Sequence, residues 1–148
     1  MKIYIGSDHA GFSSKEEIKS ILEKLSLTYV DIGPSSDKRV DYPDFAKKVC
    51  DKVLKEKNSF GILICGSGTG MQIAANKIKG IRAAFCYDEY SAKMSRIDND
   101  ANVLTLRSRE FDHKKYKKII DAFLNTKFSN EERHKKRIEK ILSLERRA

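Results

Sequence analysis

The sequence lacks the features of secreted, zinc-binding and membrane-spanning proteins. Only three cysteines occur in 148 residues, and none belongs to a C-x-x-C pair, which excludes a disulfide framework and a cysteine-rich zinc site. No apolar run approaches the roughly 20 residues needed to cross a bilayer. Met1-Lys2-Ile3 leads into a strand-like stretch instead of a secretory signal. We therefore expect a cytoplasmic protein that has no membrane partner.

Composition and charge are typical of a globular protein with a basic C-terminal part. Hydrophobic residues make up 40% and charged residues 34%, and a chain of 148 residues most simply forms one domain, 1–148. The net charge is +9, and from residue 107 onward 14 Lys and Arg stand against 7 Asp and Glu. Such a tail binds nucleic acid, attracts an anionic substrate or forms a solvated helix face. Aromatic residues are not interleaved with the basic ones, so no nucleic-acid partner is expected.

Strand-like and helix-like stretches alternate along the chain. The predicted strands are 2–7, 28–32, 60–65, 81–87 and 102–106. The predicted helices are 13–25, one introduced by Pro43, one beginning near Met71, 88–96, 114–124 and a C-terminal helix over about 130–144. Ser14-Lys15-Glu16-Glu17 predicts a capping box for the first helix. Because hairpin signals are absent, we expect an α/β fold with a doubly wound (Rossmann-like), five-stranded parallel sheet and helices on both faces.

Residues 60–70 carry the strongest single signal in the chain. An apolar strand ends at Cys65, and five small residues follow it, namely Gly66, Ser67, Gly68, Thr69 and Gly70. The N–H groups of such a loop bind an anion and favour the thiolate of Cys65, which then serves as a general base. The loop matches neither the dinucleotide fingerprint nor the phosphate loop of nucleotide hydrolases. A tight turn with an inert thiol is the alternative, and inert packing is what we expect of Cys50 and Cys86.

Two further clusters are candidate parts of a site. Asp8-His9 follows the first strand, and the carboxyl ends of parallel strands share one sheet edge, so this pair is expected beside Cys65. A capping Asp and a solvent-facing His are the alternative. Arg133 and Arg137 share a helix face with His134 beside them, which is a suitable arrangement for clamping a phosphate. An ordinary solvated helix face is the alternative here.

Taken together, sequence blocks along nearly the whole chain resemble the type B ribose-5-phosphate isomerases, in the family that includes galactose-6-phosphate isomerase subunits. The blocks are Gly6-Ser7-Asp8-His9-Ala10-Gly11, Asp41-Tyr42-Pro43, Ile64-Cys65-Gly66-Ser67-Gly68-Thr69-Gly70, Ile73-Ala74-Ala75-Asn76-Lys77, Gly80-Ile81-Arg82-Ala83-Ala84, Asn99-Asp100-Ala101-Asn102-Val103 and Arg133-His134-x-x-Arg137. The resemblance implies an aldose–ketose isomerase of sugar phosphates in the pentose phosphate pathway, without a metal or an organic cofactor. It also implies a homodimer with shared active sites, and it leaves open whether dimers pair into tetramers.

The resemblance also implies a role for each candidate residue. Cys65 would move a proton between C2 and C1 of the sugar through an enediolate, while the amides of residues 66–70 hold the oxyanion. Asp8 would act where the sugar ring opens, and Ser67 stands where the family often has Thr. The matched substrate-binding positions are His9, Tyr42, Asn99, Arg109, Arg133 and Arg137. The tail arginines would serve the cleft of the partner subunit.

Asp98 departs from the resemblance. Many type B enzymes have a His at this position, which opens the furanose ring by passing a proton at the ring oxygen. An aspartate is ordinarily ionised at neutral pH, so it accepts a proton but hardly donates one. Three alternatives stay open: Asp98 is kept protonated by Asp100 or Asp8, Asp8 or water is the acid, or the substrate differs, for example allose or galactose 6-phosphate. A non-catalytic sugar-phosphate-binding subunit is a further alternative.

Overall fold

The computed structural model describes residues 1–145, in which five strands alternate with six α-helices. The strands are Lys2–Ser7 (β1), Tyr29–Gly33 (β2), Ser59–Cys65 (β3), Ala83–Phe85 (β4) and Val103–Arg107 (β5). The α-helices are Phe12–Lys24 (α1), Tyr42–Lys55 (α2), Thr69–Ala75 (α3), Glu89–Asn99 (α4), Tyr116–Asn125 (α5) and Glu132–Leu144 (α6), and a short 3-10 helix, His113–Lys115, precedes α5. Arg146–Ala148, which count toward the basic tail, lie outside the described residues.

The five strands form one parallel sheet in the order β2-β1-β3-β5-β4. β3 occupies the centre, and its Ile62, Leu63 and Ile64 are all fully buried. A continuous apolar run is what a parallel strand needs when helices cover both of its faces. The predicted fold class is therefore confirmed.

Side chains alternate between two hydrophobic cores, one on each face of the sheet. Ile62 and Ile64 of β3 pack with Ile18 of α1 and Phe123 of α5. Leu63 lies on the other face, in the core to which α2 and α3 contribute. Because every crossover helix returns the chain to the same end of the sheet, all five strands end at one carboxyl edge. Among the helices of residues 1–145, none combines the length and the apolar character that a membrane crossing requires.

Two local predictions differ from the structure. The predicted capping box is wrong, because α1 begins at Phe12 after Gly11 and Ser14 already lies inside the helix. The buried Ser14 hydroxyl instead lies 3.1 Å from the hydroxyl of Tyr116, a residue 102 positions away. β4 is also shorter than predicted, and before its first residue the N–H of Arg82 donates to the side chain of Asn102 and not to a neighbouring strand. Tertiary contacts thus override both local patterns.

Candidate active site

The loop after β3 places a buried thiol against a backbone amide. Cys65 is the last residue of β3 and is only 4% exposed, and its Sγ atom accepts the N–H of Gly68 at 3.1 Å. Gly68 has φ of +78°, and a Cβ atom there would lie 2.5 Å from the Phe85 ring. The turn therefore requires glycine at this position. The exposed Ser67 and Thr69 border the loop, where Ser67 Oγ accepts the Thr69 N–H at 3.3 Å.

Two long side chains lie over the other glycines of this loop. A Cβ atom built on Gly66 would lie 3.3 Å from the guanidine carbon of Arg109. A Cβ atom built on Gly70 would lie 2.9 Å from the ring of Tyr42. The absence of side chains at both glycines lets a cation and an aromatic ring approach the loop backbone.

The end of β1 lies beside the end of β3, as the sequence predicts. The N–H of Asp8 donates to the carbonyl of Ile64 at 3.1 Å. The buried Asp8 carboxylate accepts the N–H of Gly11 at 2.8 Å. Nδ1 of His9 lies 3.3 Å from the carbonyl oxygen of Val40, in the segment that leads into α2. Asp8 therefore makes a local capping contact and also lies next to the strand that carries the thiol.

The segment after β5 connects these loops through hydrogen bonds. The N–H of Ser108 donates to the Cys65 carbonyl at 3.0 Å, and the N–H of Arg109 donates to the Gly66 carbonyl at 3.1 Å. Ser108 Oγ donates to the carbonyl of Ala10 at 2.8 Å. The family resemblance implies Arg109 but not Ser108, although a polar residue directly after a parallel strand is the same kind of signal that indicates Asp8.

Four other candidates lie at the opposite edge of the sheet, namely Asp98, Asn99, Arg133 and Arg137. Asn99 ends α4, and its carbonyl accepts the Nε–H of Arg82 at 2.9 Å, directly before β4 begins. Cys65, in contrast, pairs with the last residue of β5. The length of β5 separates the two edges by about 13 Å. Within residues 1–145 of one chain, the fold therefore does not bring these four residues to Cys65.

His134 faces the protein interior and not the solvent. It is 2% exposed, its Nδ1 lies 2.7 Å from Ser129 Oγ, and its Nε2 lies 3.5 Å from Asp98 Oδ1. Arg133 and Arg137 are exposed. The expected grouping of the imidazole with the two arginines is wrong, because successive helical residues point about 100° apart and His134 is the one that faces α4.

Asp98 lies beside the imidazole of His134. Its side chain is 45% exposed and faces His134. The Asp100 carboxylate is paired with Arg82 at 3.0 Å and with Arg96 at 2.7 Å. Asp8 lies at the other edge of the sheet. Within one chain, the structure therefore does not group Asp8 and Asp100 with Asp98 as the sequence suggests.

The remaining titratable sulfur atoms belong to the core. Burial raises the pKa of Cys50 to about 12 and that of Cys86 to about 11. Both thiols are thus protonated and unreactive at neutral pH, as small core hydrophobes are. Within residues 1–145, no three His, Cys, Asp or Glu side chains are grouped in a way that could hold a metal ion.

Fold and loop together are those of an α/β enzyme, a class in which ligands bind at the carboxyl edge of the parallel sheet. Residues 3–141 match the family described as Ribose/Galactose Isomerase. The chain belongs to this family and is an aldose–ketose isomerase.

Individual relatives agree with this assignment. The ribose-5-phosphate isomerase B of Escherichia coli is 43% identical over 146 residues, which cover 99% of this chain and 97% of the relative. A putative sugar phosphate isomerase of Bacillus subtilis, YwlF, is 42% identical over 98% of this chain and 97% of its own. Among solved structures, ribose-5-phosphate isomerase B of Clostridium thermocellum superposes with a TM-score of 0.95 at 44% identity and 99% coverage of both chains. The type B enzyme of Trypanosoma cruzi also reaches 0.95, at 44% identity and full coverage of both.

Proposed function

We propose that this protein interconverts ribose 5-phosphate and ribulose 5-phosphate in the non-oxidative pentose phosphate pathway. The observation that carries the proposal is the Cys65 thiol held against the amide of Gly68, at the mouth of a loop made of small residues. The ribose-5-phosphate isomerase B of Escherichia coli is similar over almost the whole chain, which supports this substrate. The described cysteines are all unpaired and buried, which suits a reducing cytoplasm.

The chemistry proposed for Cys65 is a proton transfer between neighbouring carbon atoms. In the open-chain aldose, the thiolate removes the proton from C2, and the electron pair moves through C1 onto the carbonyl oxygen to give an enediolate. The N–H groups of the loop 66–70 that do not donate to Cys65 Sγ or Ser67 Oγ, together with the Ser67 hydroxyl, hold the negative oxygen. Protonation at C1 by the Cys65 thiol and transfer of the O2 proton then give the ketose.

Ring opening requires an acid, for which we propose Asp98 together with His134. Asp98 Oδ1 lies 3.5 Å from the buried imidazole. Imidazole and carboxylate groups both exchange protons, so the pair can relay one to the ring oxygen of the sugar. Replacement of Asp98 by His should preserve or increase turnover, because the new ring would itself act as the acid. A folded but inactive D98H variant would show that position 98 has another role.

A homodimer with shared sites explains why the candidate residues occupy opposite edges of one chain. We propose that Asp8, His9, Tyr42, Arg109 and the Cys65 loop of one subunit face Asp98, Asn99, Arg133 and Arg137 of the other. The exposed arginines then bind the phosphate of the substrate in the cleft of the partner, and the Arg133 guanidinium does so with the nitrogens other than Nε, which pairs with Glu131 at 2.6 Å.

The proposal is tested by replacing Cys65 with Ser and following exchange of the C2 proton with solvent deuterium by NMR. Exchange should slow by at least about a hundredfold, because a hydroxyl is a far weaker base than a thiolate. Affinity for the sugar phosphate should stay within about threefold, because the amides remain. Cys86→Ser is the matched control and should exchange normally.

Exchange at the wild-type rate in C65S would refute the role of Cys65. A wild-type protein that isomerises allose or galactose 6-phosphate but not ribose 5-phosphate would refute only the substrate. The hexose phosphates are a specific alternative because the matched family covers both ribose and galactose isomerases.

A further inference from the structure

His113 lies outside the proposed site but contacts the segment that carries Arg109. Its Nε2 lies 2.8 Å from the carbonyl oxygen of Ser108, and its Nδ1 lies 2.9 Å from the carboxylate of Glu17 on α1. The ring stacks on Tyr116 of α5 with a centroid separation of 4.8 Å and an angle of 29°. The imidazole thus joins two helices to the residue immediately before Arg109.

The hydrogen-bond pattern defines what the imidazole does. A carbonyl oxygen can only accept, so Nε2 carries the proton of the bond to Ser108. The other ring nitrogen, Nδ1, faces the Glu17 carboxylate at 2.9 Å. Asp112, Lys114 and Lys115 neighbour the ring along its own segment.

The Ser108 residue that His113 holds is the junction of the three loops of the site. Its N–H bonds to the Cys65 carbonyl, and its Oγ bonds to the Ala10 carbonyl. The next residue, Arg109, lies with its guanidinium against Gly66. The hydroxyl of Tyr116 additionally donates to the Arg107 carbonyl at 2.8 Å. A shift of the Ser108 carbonyl therefore moves the peptide unit that directly precedes Arg109.

We propose that His113 is a positioning residue for substrate binding. By holding the Ser108 carbonyl, it keeps the Arg109 guanidinium over the Cys65 loop, where it meets the anionic group of the sugar phosphate. This inference rests on the proposed function in one respect, namely that Arg109 binds that anionic group.

Two amide replacements of His113 separate positioning from general stabilisation. Gln places its N–H₂ group near the site of Nε2 and keeps the bond to Ser108, whereas Asn places it near Nδ1 and keeps only the bond to Glu17. H113N should raise KM for the sugar phosphate about three- to tenfold with kcat within about twofold, while H113Q stays near wild type. Thermal melting of both variants measures any general loss of stability.

Equal KM values for the Asn and Gln variants, or a wild-type KM in H113N, would overturn the inference. In an R109A background, H113N should change KM no further, because the group that it positions is gone. Competition by inorganic phosphate separates this inference from the isomerase assignment. Phosphate affinity should fall in H113N and not in H113Q, even if ribose 5-phosphate is not the substrate.

Discussion

Replacing Gly68 by Ala should destabilise the protein more than the same change at Gly80, although both residues have similar backbone conformations. Their φ angles are +78° and +82°. An L-residue in this left-handed region costs about 1–2 kcal/mol, so this part of the effect is common to both variants. The difference between the two variants therefore reports on what the new methyl group meets.

The surroundings of the two methyl groups differ sharply. At Gly68 the added Cβ would lie 2.5 Å from Cε2 of Phe85 and 3.1 Å from the backbone carbonyl carbon of Leu106. At Gly80 it would lie 3.1 Å from the end of Leu54, a side chain that is 46% exposed and can move away. Overpacking against an aromatic ring and a strand backbone adds about 1–3 kcal/mol at Gly68 only.

Urea unfolding of both variants, followed by circular dichroism at one protein concentration, measures the difference. We expect a loss of about 1–2 kcal/mol for G80A and about 3 kcal/mol for G68A. Replacing Phe85 by Leu in the G68A background should recover part of the additional loss, because the clash is with the ring. Equal free energies of unfolding for G68A and G80A would refute the reasoning.

Three further predictions concern the sharing of sites between subunits, the phosphate contact of Arg137 and the ion pair between Asp31 and Lys15. Mixing unfolded C65S and D98A chains and refolding them should restore about one quarter of wild-type activity if sites are shared, since half of the dimers are mixed and each has one intact site; no recovery would place each site within one chain. R137A should raise KM for phosphorylated sugars and leave the melting temperature unchanged, and an unchanged KM would make Arg137 an ordinary surface residue. Burial raises the pKa of Asp31, but hydrogen bonds from two lysines and a backbone amide outweigh this effect and lower the pKa overall. The contribution of the Asp31 carboxylate to stability is therefore present above its unfolded-state pKa and is lost as the pH falls through its folded-state pKa. D31N should therefore destabilise the protein by about 2–4 kcal/mol at pH 7, because it removes a partner of the buried Lys15 ammonium. Near pH 2 the loss should be much smaller. Urea unfolding measures both losses, and an equal loss at the two pH values would contradict the prediction.

The fold could be predicted from the sequence because its strongest signals are local. β1 was predicted with its observed bounds, and the run of Ile62, Leu63 and Ile64 identified the central strand. The first helix was assigned a false capping box because its decisive contact, between Ser14 and Tyr116, joins residues 102 positions apart. Periodicity reports which residues are apolar, whereas it contains no information on which distant hydroxyl reaches a given side chain.

The candidate site also contains residues whose position the sequence predicts and residues whose position it does not. The rule that parallel strands end at one edge predicted the proximity of Asp8 and Cys65, and the structure places their strand ends side by side. The same rule could not locate Asp98, because α4 carries it to the opposite edge, nor could it identify His113, whose carboxylate partner lies 96 positions away. Only the folded chain shows at which edge of the sheet each of these residues lies.

The hydrogen bonds of the site indicate where its specificity can change. The amides of the Cys65 loop are held by the sheet itself, through backbone bonds from Ser108 and Arg109 to β3 and the residue after it. The position of the Arg109 guanidinium depends instead on the contact of its own side chain with Gly66. In our inference it also depends on the imidazole of His113. Substitutions of side chains that position Arg109 should leave the geometry of proton transfer at Cys65 intact and change which sugar phosphate is bound. Variation in substrate among proteins of this family should therefore concentrate in the residues that position the phosphate and the ring oxygen, such as Asp98, and spare the thiol with its glycine loop.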